Sequence, residues 1–190
     1  MDGMSTPRLV QMPLATDPRG FFSVIWESSG SSGEHPLGTL FQKVDGLYHS
    51  FNERCFTLRG FHFQRYPCSQ AKIVNCIAGK LLDVAVDIRV SSPTFGKSWS
   101  YELCANTQEV LFIPKGFAHA FLTLEPNTLL GYAIEGAYRP DMALAMAWND
   151  PELEINWPCA DPVLSEKDQA ASSFFQIKQL LSEQWLNPKL

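Results

Sequence analysis

Lys72-Ile-Val-Asn-Cys-Ile77, the turn Ala78-Gly79-Lys80 and Leu81-Leu-Asp-Val-Ala-Val-Asp-Ile-Arg89 together decide the fold. Two apolar runs flank a glycine turn, which reads as a β-hairpin. In the second run Leu82, Val84, Val86 and Ile88 share one face, and Asp83, Ala85 and Asp87 share the other. Working outward, Trp99-Ser-Tyr-Glu-Leu103, Glu109-Val-Leu-Phe-Ile113, Ala120-Phe-Leu-Thr-Leu124 and Leu129-Leu-Gly-Tyr-Ala-Ile134 continue the pattern. Their starts fall roughly ten residues apart with turn signals between them, the spacing of an all-β sandwich or barrel. Pro158 and Pro162 close the strand region. Ser165-Glu-Lys-Asp168 then opens a helical pattern, and Phe174, Ile177, Leu181 and Trp185 recur at spacings of three and four. That stripe predicts a short terminal helix packed on the barrel.

The chain of 190 residues suits one domain over 1–190. Its barrel core is expected over about 40–158 and its helical segment over about 165–187. Apolar residues make up 45% and charged residues 18%, enough to bury a core. The net charge of −5 argues against a nucleic-acid-binding protein, which needs a positive surface to meet phosphates. An anionic ligand must therefore be held by a local cluster of basic groups. No apolar run approaches the ~20 residues needed to span a bilayer, and Met1 to Arg8 has no apolar signal core. No membrane association is expected. The five cysteines (Cys55, Cys68, Cys76, Cys104, Cys159) are scattered and include no CxxC pair. They speak against a disulfide scaffold or a zinc site and for a reducing cytoplasm; most are expected to be small core residues. Ser28-Ser-Gly-Ser-Ser-Gly33 reads as a surface loop.

Of the four histidines, His35 and His49 lie in polar stretches and read as incidental. His62 lies in Leu58-Arg-Gly-Phe-His-Phe-Gln64, and His119 in Pro114-Lys-Gly-Phe-Ala-His119. PxGxxH after a strand in an all-β chain suggests a cupin, the small jelly-roll barrel in which a Pro-Gly turn delivers a histidine to the mouth. A metal cupin usually adds His-x-His and a nearby Glu. Here His62-Phe63-Gln64 and Pro67-Cys68 stand instead, so no facial triad forms and no metal is expected. Arg59, His62, Lys72, His119 and Tyr132 all fall in strand segments of one small barrel. So many polar groups inside would be costly unless they line a cavity. In a strictly alternating strand Arg59 and His62 face opposite ways; a bulge at Gly60 would re-aim one of them.

Further segments complete an ordered set: Ala71-Lys72-Ile-Val, Asp83-Val-Ala-Val-Asp-Ile-Arg89, Ser92-Pro-Thr-Phe-Gly96, Ile113-Pro-Lys-Gly-Phe-Ala-His-Ala-Phe121, Trp148-Asn-Asp-Pro151, Ile155-Asn-Trp-Pro158 and Leu164-Ser-Glu-Lys-Asp168. With Leu58 to Gln64, and over Asp17 to Asp168, the chain resembles the dTDP-4-dehydrorhamnose 3,5-epimerase family of cupin-type nucleotide-sugar epimerases. The resemblance implies His62 as general base, Asp168 as its paired carboxylate, Tyr132 as general acid and Lys72 as the cation beside the keto oxygen. It implies substrate contacts from Arg19, Arg59, Lys72, His119 and Lys167, and stacking of Tyr138 on the nucleobase. It also implies no cofactor or metal, a nucleotide-diphospho-sugar substrate and a homodimer with exchanged N-terminal strands. Elementary chemistry agrees. A 4-keto group acidifies the neighbouring sugar carbons, so a base, an acid on the other face and a cation at the enolate oxygen suffice to invert a centre.

More ordinary roles compete with these. Tyr132 could fill the barrel, Lys72 could snorkel from a strand end, and Asp168 could cap the terminal helix. The sequence also departs from the family pattern. Ser23-Val24 replaces a Glu after Arg-Gly-Phe-Phe, Gly46 and Tyr48 replace Gln and Asn before His49-Ser50, Ala143 replaces a Glu after Tyr138, and Ala120 replaces a Gly after His119. The alternatives to a C3 and/or C5 epimerase are a keto-isomerase of a nucleotide-linked 4-keto sugar on the same scaffold and a non-catalytic sugar-nucleotide-binding cupin; a metal-dependent oxygenase stands further off.

Overall fold

A computed structural model describes residues 6–27, 35–38 and 40–186. The Ser28 to Gly33 loop lies outside them. Strands β1 (Arg8–Gln11), β9 (Glu109–Ile113), β6 (Ala71–Ala78), β11 (Thr128–Glu135) and β4 (Gly46–Asn52) form one antiparallel sheet in that order. Strands β12 (Ala143–Ala145), β5 (Leu58–Gln64), β10 (Phe117–Thr123), β7 (Lys80–Asp87) and β8 (Ser98–Cys104) form the second. A small hairpin, β2 (Ala15–Asp17) with β3 (Gly20–Phe22), stands apart. This is the expected all-β jelly roll. It closes with a helical segment, α1 (Glu166–Gln169) and α2 (Phe174–Leu186). None of the helices described is long and apolar enough to cross a membrane.

The two sheets enclose one apolar cluster, with Val74, Leu111, Ile113 and Leu130 from the first and Leu81, Ala85, Leu103, Phe117 and Phe121 from the second. A second cluster lies on the other face of the second sheet. There Phe61, Phe63, Val84, Val86, Ala118 and Ala120 meet Met146, Leu153, Phe174, Ile177 and Leu181. The side chain of Trp185, the fourth member of the helical stripe, is outside the described residues. Both faces of the second sheet are thus covered, which is why every residue of β10 is buried. The apolar face of β7 therefore packs on the helical segment, and its aspartate face turns inward. A third cluster, built on Met12, Leu37, Phe41, Val110 and Phe112, covers part of the first sheet.

Several of the ordered motifs are structural. Asp87 accepts from Arg89 Nη2, Ser92 Oγ and Thr94 Oγ1, each at 2.6 Å, and so ties down the 89–96 turn. Asp150 accepts the Phe174 N–H at 2.7 Å and starts α2. Trp157 Nε1 donates to the Trp148 carbonyl at 2.9 Å. The cysteines differ from expectation: only Cys76 is buried, and the other four free thiols are partly accessible. Cys55 instead donates its thiol to the Leu124 carbonyl at 3.1 Å.

Candidate active site

Gly60 places the first catalytic candidate. His62 of β5 pairs with His119 of β10, but Arg59 pairs with Phe121, so β5 carries one residue more than its partner between them. This is the bulge the alternation problem required. Gly60 has φ +119, and a Cβ there would stand 2.5 Å from the His119 carbonyl oxygen. Only glycine combines that backbone with that approach. The bulge brings Arg59 and His62 to the wall of the same cavity, of about 350 Å³, which is also lined by Lys72, His119 and Tyr132. Its lining holds basic side chains and no carboxylate, so it favours an anion despite the negative net charge.

His62 Nε2 bonds Asp168 Oδ1 at 2.6 Å, and Asp168 is 4% exposed. The pair is made possible by the bridge between Thr57 and Val163, which lays the chain before α1 along β5. Ser165, not Asp168, caps α1: its Oγ accepts the Asp168 N–H at 3.2 Å. Burial works against the Asp168 charge, but the bonds from His62, Ser165 and the Gly60 N–H outweigh it and hold the carboxyl below its ordinary range. With Nε2–H given to Asp168, the lone pair of His62 sits on Nδ1.

A second chain of contacts spans the barrel. Asp83 Oδ2 accepts His119 Nε2–H at 2.9 Å, and His119 Nδ1 lies 3.4 Å from Lys72 Nζ. Asp83 and His119 belong to one sheet and Lys72 to the other. Lys72 keeps some contact with solvent yet sits deep among protein atoms. Burial pushes its ammonium down to about 8, while the Asp83 charge pulls the other way. Burial also lowers His119, against the pull of Asp83, which suits a neutral ring accepting from Lys72.

Tyr132 of β11 faces the pocket from the first sheet, opposite His62 on the second. Burial raises its phenol; Arg59 pulls it down and Tyr48 adds to the rise. Arg59 is anchored at the rim by Nε donating to Asn52 Oδ1 at 2.8 Å. His49, which read as incidental, also lines the cavity.

Three predicted contact residues do not line the pocket of the single chain. Arg19 sits in the β2–β3 hairpin with its side chain 89% exposed and bound to Asp17. Tyr138 and Lys167 are exposed; Lys167 is next in sequence to Asp168, and Tyr138 lies in a loop held by Gln64. Buried Gln64 fixes the Tyr138 loop, donating to the Ala137 carbonyl at 3.0 Å and accepting the Arg139 N–H. Asp83, Asn52 and Gln64 carried no predicted role. An Asp inside an apolar strand was the one available signal, because such a group needs a buried partner.

A closed jelly roll whose polar cavity sets a histidine–carboxylate pair against a phenol defines a cupin-type protein with an acid–base site. The model of the dTDP-4-dehydrorhamnose 3,5-epimerase family matches residues 4–176, and the chain belongs to that family. It is 38% identical over 162 residues to the dTDP-4-dehydrorhamnose 3,5-epimerase of Sinorhizobium fredii, covering 85% of this chain and 81% of that protein. The solved structure of the Bacillus anthracis enzyme with TDP and PPi bound superposes with a TM-score of 0.83 at 35% identity, over 91% of this chain and 97% of the other. The Legionella pneumophila dTDP-6-deoxy-D-glucose-3,5-epimerase in complex with dTDP-4-keto-L-rhamnose gives a TM-score of 0.82 at 32% identity, over 92% and 91%.

Proposed function

We propose that the protein is an isomerase that inverts C3 and/or C5 of a nucleotide-diphospho-4-keto-6-deoxy sugar of the dTDP-4-dehydro-6-deoxyglucose type, in deoxysugar biosynthesis. The observation that carries this is the His62–Asp168 pair at 2.6 Å on one sheet with Tyr132 facing it from the other. His62 Nδ1 removes the proton beside the keto group, and Asp168 stabilises the imidazolium that forms. Lys72 holds the enolate oxygen, with His119 beside it. Tyr132 returns a proton to the opposite face of the same carbon. One proton leaves, one arrives, and no redox step is needed. Arg59 at the rim offers a forked donor to the diphosphate, with Lys167 as a further cation and Tyr138 as a stacking surface for the base.

The same reading includes a homodimer. Arg19 can contribute to a pocket only if the β2–β3 hairpin reaches another copy. Exposed Phe21 and Phe22 on that hairpin, and Leu47, Phe51 and Ile77 on the first sheet, give such a copy apolar surface to cover. The five unpaired thiols support a cytoplasmic setting. Incubating the protein with 4-keto nucleotide sugars in deuterated water tests the activity. Deuterium should enter at C3, C5 or both, with inverted product. Carbonyl migration without inversion would identify a keto-isomerase instead, and absence of exchange a binding protein.

A further inference from the structure

Tyr48 and Tyr132 lie directly opposite each other on β4 and β11. Their rings stack, with centroids 5.6 Å apart and planes 16° from parallel. Residues two apart on a strand share a face, and the Tyr48 ring folds back along its own strand over Gly46. A Cβ at position 46 would stand 2.6 Å from Tyr48 Cε2, 2.7 Å from its hydroxyl oxygen and 2.9 Å from Cζ. Gly46 is not among the residues with positive φ, so the ring, and not the backbone, is what requires glycine there. Gly46 and Tyr48 are also the two departures from the family pattern before His49-Ser50. The structure makes them a single feature: the gap at 46 seats the ring of 48.

We propose that Tyr48, seated by Gly46, is a positioning residue for Tyr132 that aims its phenol for the return of a proton to the sugar; this rests on the reading of Tyr132 as the acid. A tyrosine ring pivots about two torsions, and a stacked neighbour removes much of that freedom. Tyr48 covers one face of the Tyr132 ring and leaves the rest for the substrate. Tyr48 itself remains 43% exposed. Its phenol also adds to the upward shift at Tyr132. Proton abstraction belongs to His62 on the other sheet, which the pocket separates from this pair. The stack therefore bears on one half of the reaction only.

The test follows two rates together on a dTDP-4-keto-6-deoxy sugar in deuterated water: net inversion, and deuterium wash-in with retained configuration. In Tyr48→Ala, inversion should fall about three- to tenfold relative to wash-in, the worth of one aromatic pair. Gly46→Ala should do the same by displacing the ring, and the double variant should lose no more than either single one. Tyr48→Phe, which keeps the stack, should rescue the ratio. NMR of ring-labelled tyrosine reads the stack without substrate: Gly46→Ala should move the Tyr132 ring resonances in the direction that Tyr48→Ala does. An active wild type whose Tyr48→Ala variant keeps the wild-type ratio, or loses both rates equally, overturns the proposal alone, as do unmoved Tyr132 resonances in Gly46→Ala. A wild type inactive on every 4-keto sugar overturns the epimerase reading and the proposal with it.

Discussion

Lys72 owes its place to the two residues behind it. Asp83 holds His119, and His119 meets Lys72 across the barrel. Because burial brings the lysine down to about 8, the cation needed at the enolate oxygen is lost as pH rises through that value. The kcat/KM profile should therefore fall above about pH 8. Asp83→Asn removes the charge that supports Lys72 and should move this limb to lower pH; a limb that stays put would separate Lys72 from the rate. Asp168 and Asp87 set the acid side. Both carboxyls lie below their ordinary value of 3.8: burial opposes their charge, but His62 at Asp168, and Arg89, Ser92 and Thr94 at Asp87, prevail. A carboxyl depressed by folding adds stability above its unfolded pKa and loses it as pH falls through the folded one. Urea midpoints should decline below about pH 4, and less steeply in Asp168→Asn. His62 and Lys72 could be singled out in the sequence because each sits in one of the ordered motifs, and Tyr132 because it is a polar group in a strand of the same small barrel. Asp83 also opens a motif, but its role was hidden, since its partner lies 36 residues away on a strand that only sheet pairing brings alongside.

Among the elements, β5 carries the most consequence. Alternation put Arg59 and His62 on opposite faces, and Gly60 was the sequence's only means of reconciling them. The register shift against β10 does so. Gly60→Ala should cost about 1–3 kcal/mol in denaturant unfolding from the backbone strain alone. It should also abolish exchange activity, because the same residue donates to Asp168 and sets where His62 points. A stable, active Gly60→Ala protein would contradict this account of the bulge. The strands from β6 to β11 and the helical end of the chain were readable from periodicity; β1 to β4 and the short β12 were not. The aspartate face of β7 was harder to place, since periodicity shows which residues share a face but not which face is inside. For β7 the answer depends on α2 covering the other side. The cysteines misled for a related reason: residue type suggests burial, but Cys68 and Cys159 fall in connecting segments and Cys104 at a strand end.

At the scale of the molecule, two features need more than one sheet or more than one chain. Arg19 lies outside the pocket of its own barrel, so the proposed contact with substrate requires the proposed partner copy. Deleting the whole N-terminus would also strip β1 from the first sheet and remove buried Met12; point substitutions are the cleaner probe. Phe21→Ser with Phe22→Ser should shift sedimentation toward monomer, and Arg19→Ala should raise KM for the nucleotide sugar with a smaller change in kcat. An Arg19→Ala enzyme with unaltered KM would show that Arg19 makes no contact with the substrate, and unchanged sedimentation of the Phe21→Ser, Phe22→Ser variant would show that the hairpin does not hold a dimer together. The other feature is the central claim: the two sheets hold base and acid on opposite faces of one enolate. Deuterium incorporation by His62→Ala and Tyr132→Phe tests it most directly. His62→Ala should lose exchange at every carbon, by roughly 100- to 10,000-fold, because no proton leaves. Tyr132→Phe should still admit deuterium from the histidine side with configuration retained, while net inversion collapses. Normal exchange in His62→Ala, or full inversion in Tyr132→Phe, would contradict the assignment of the site.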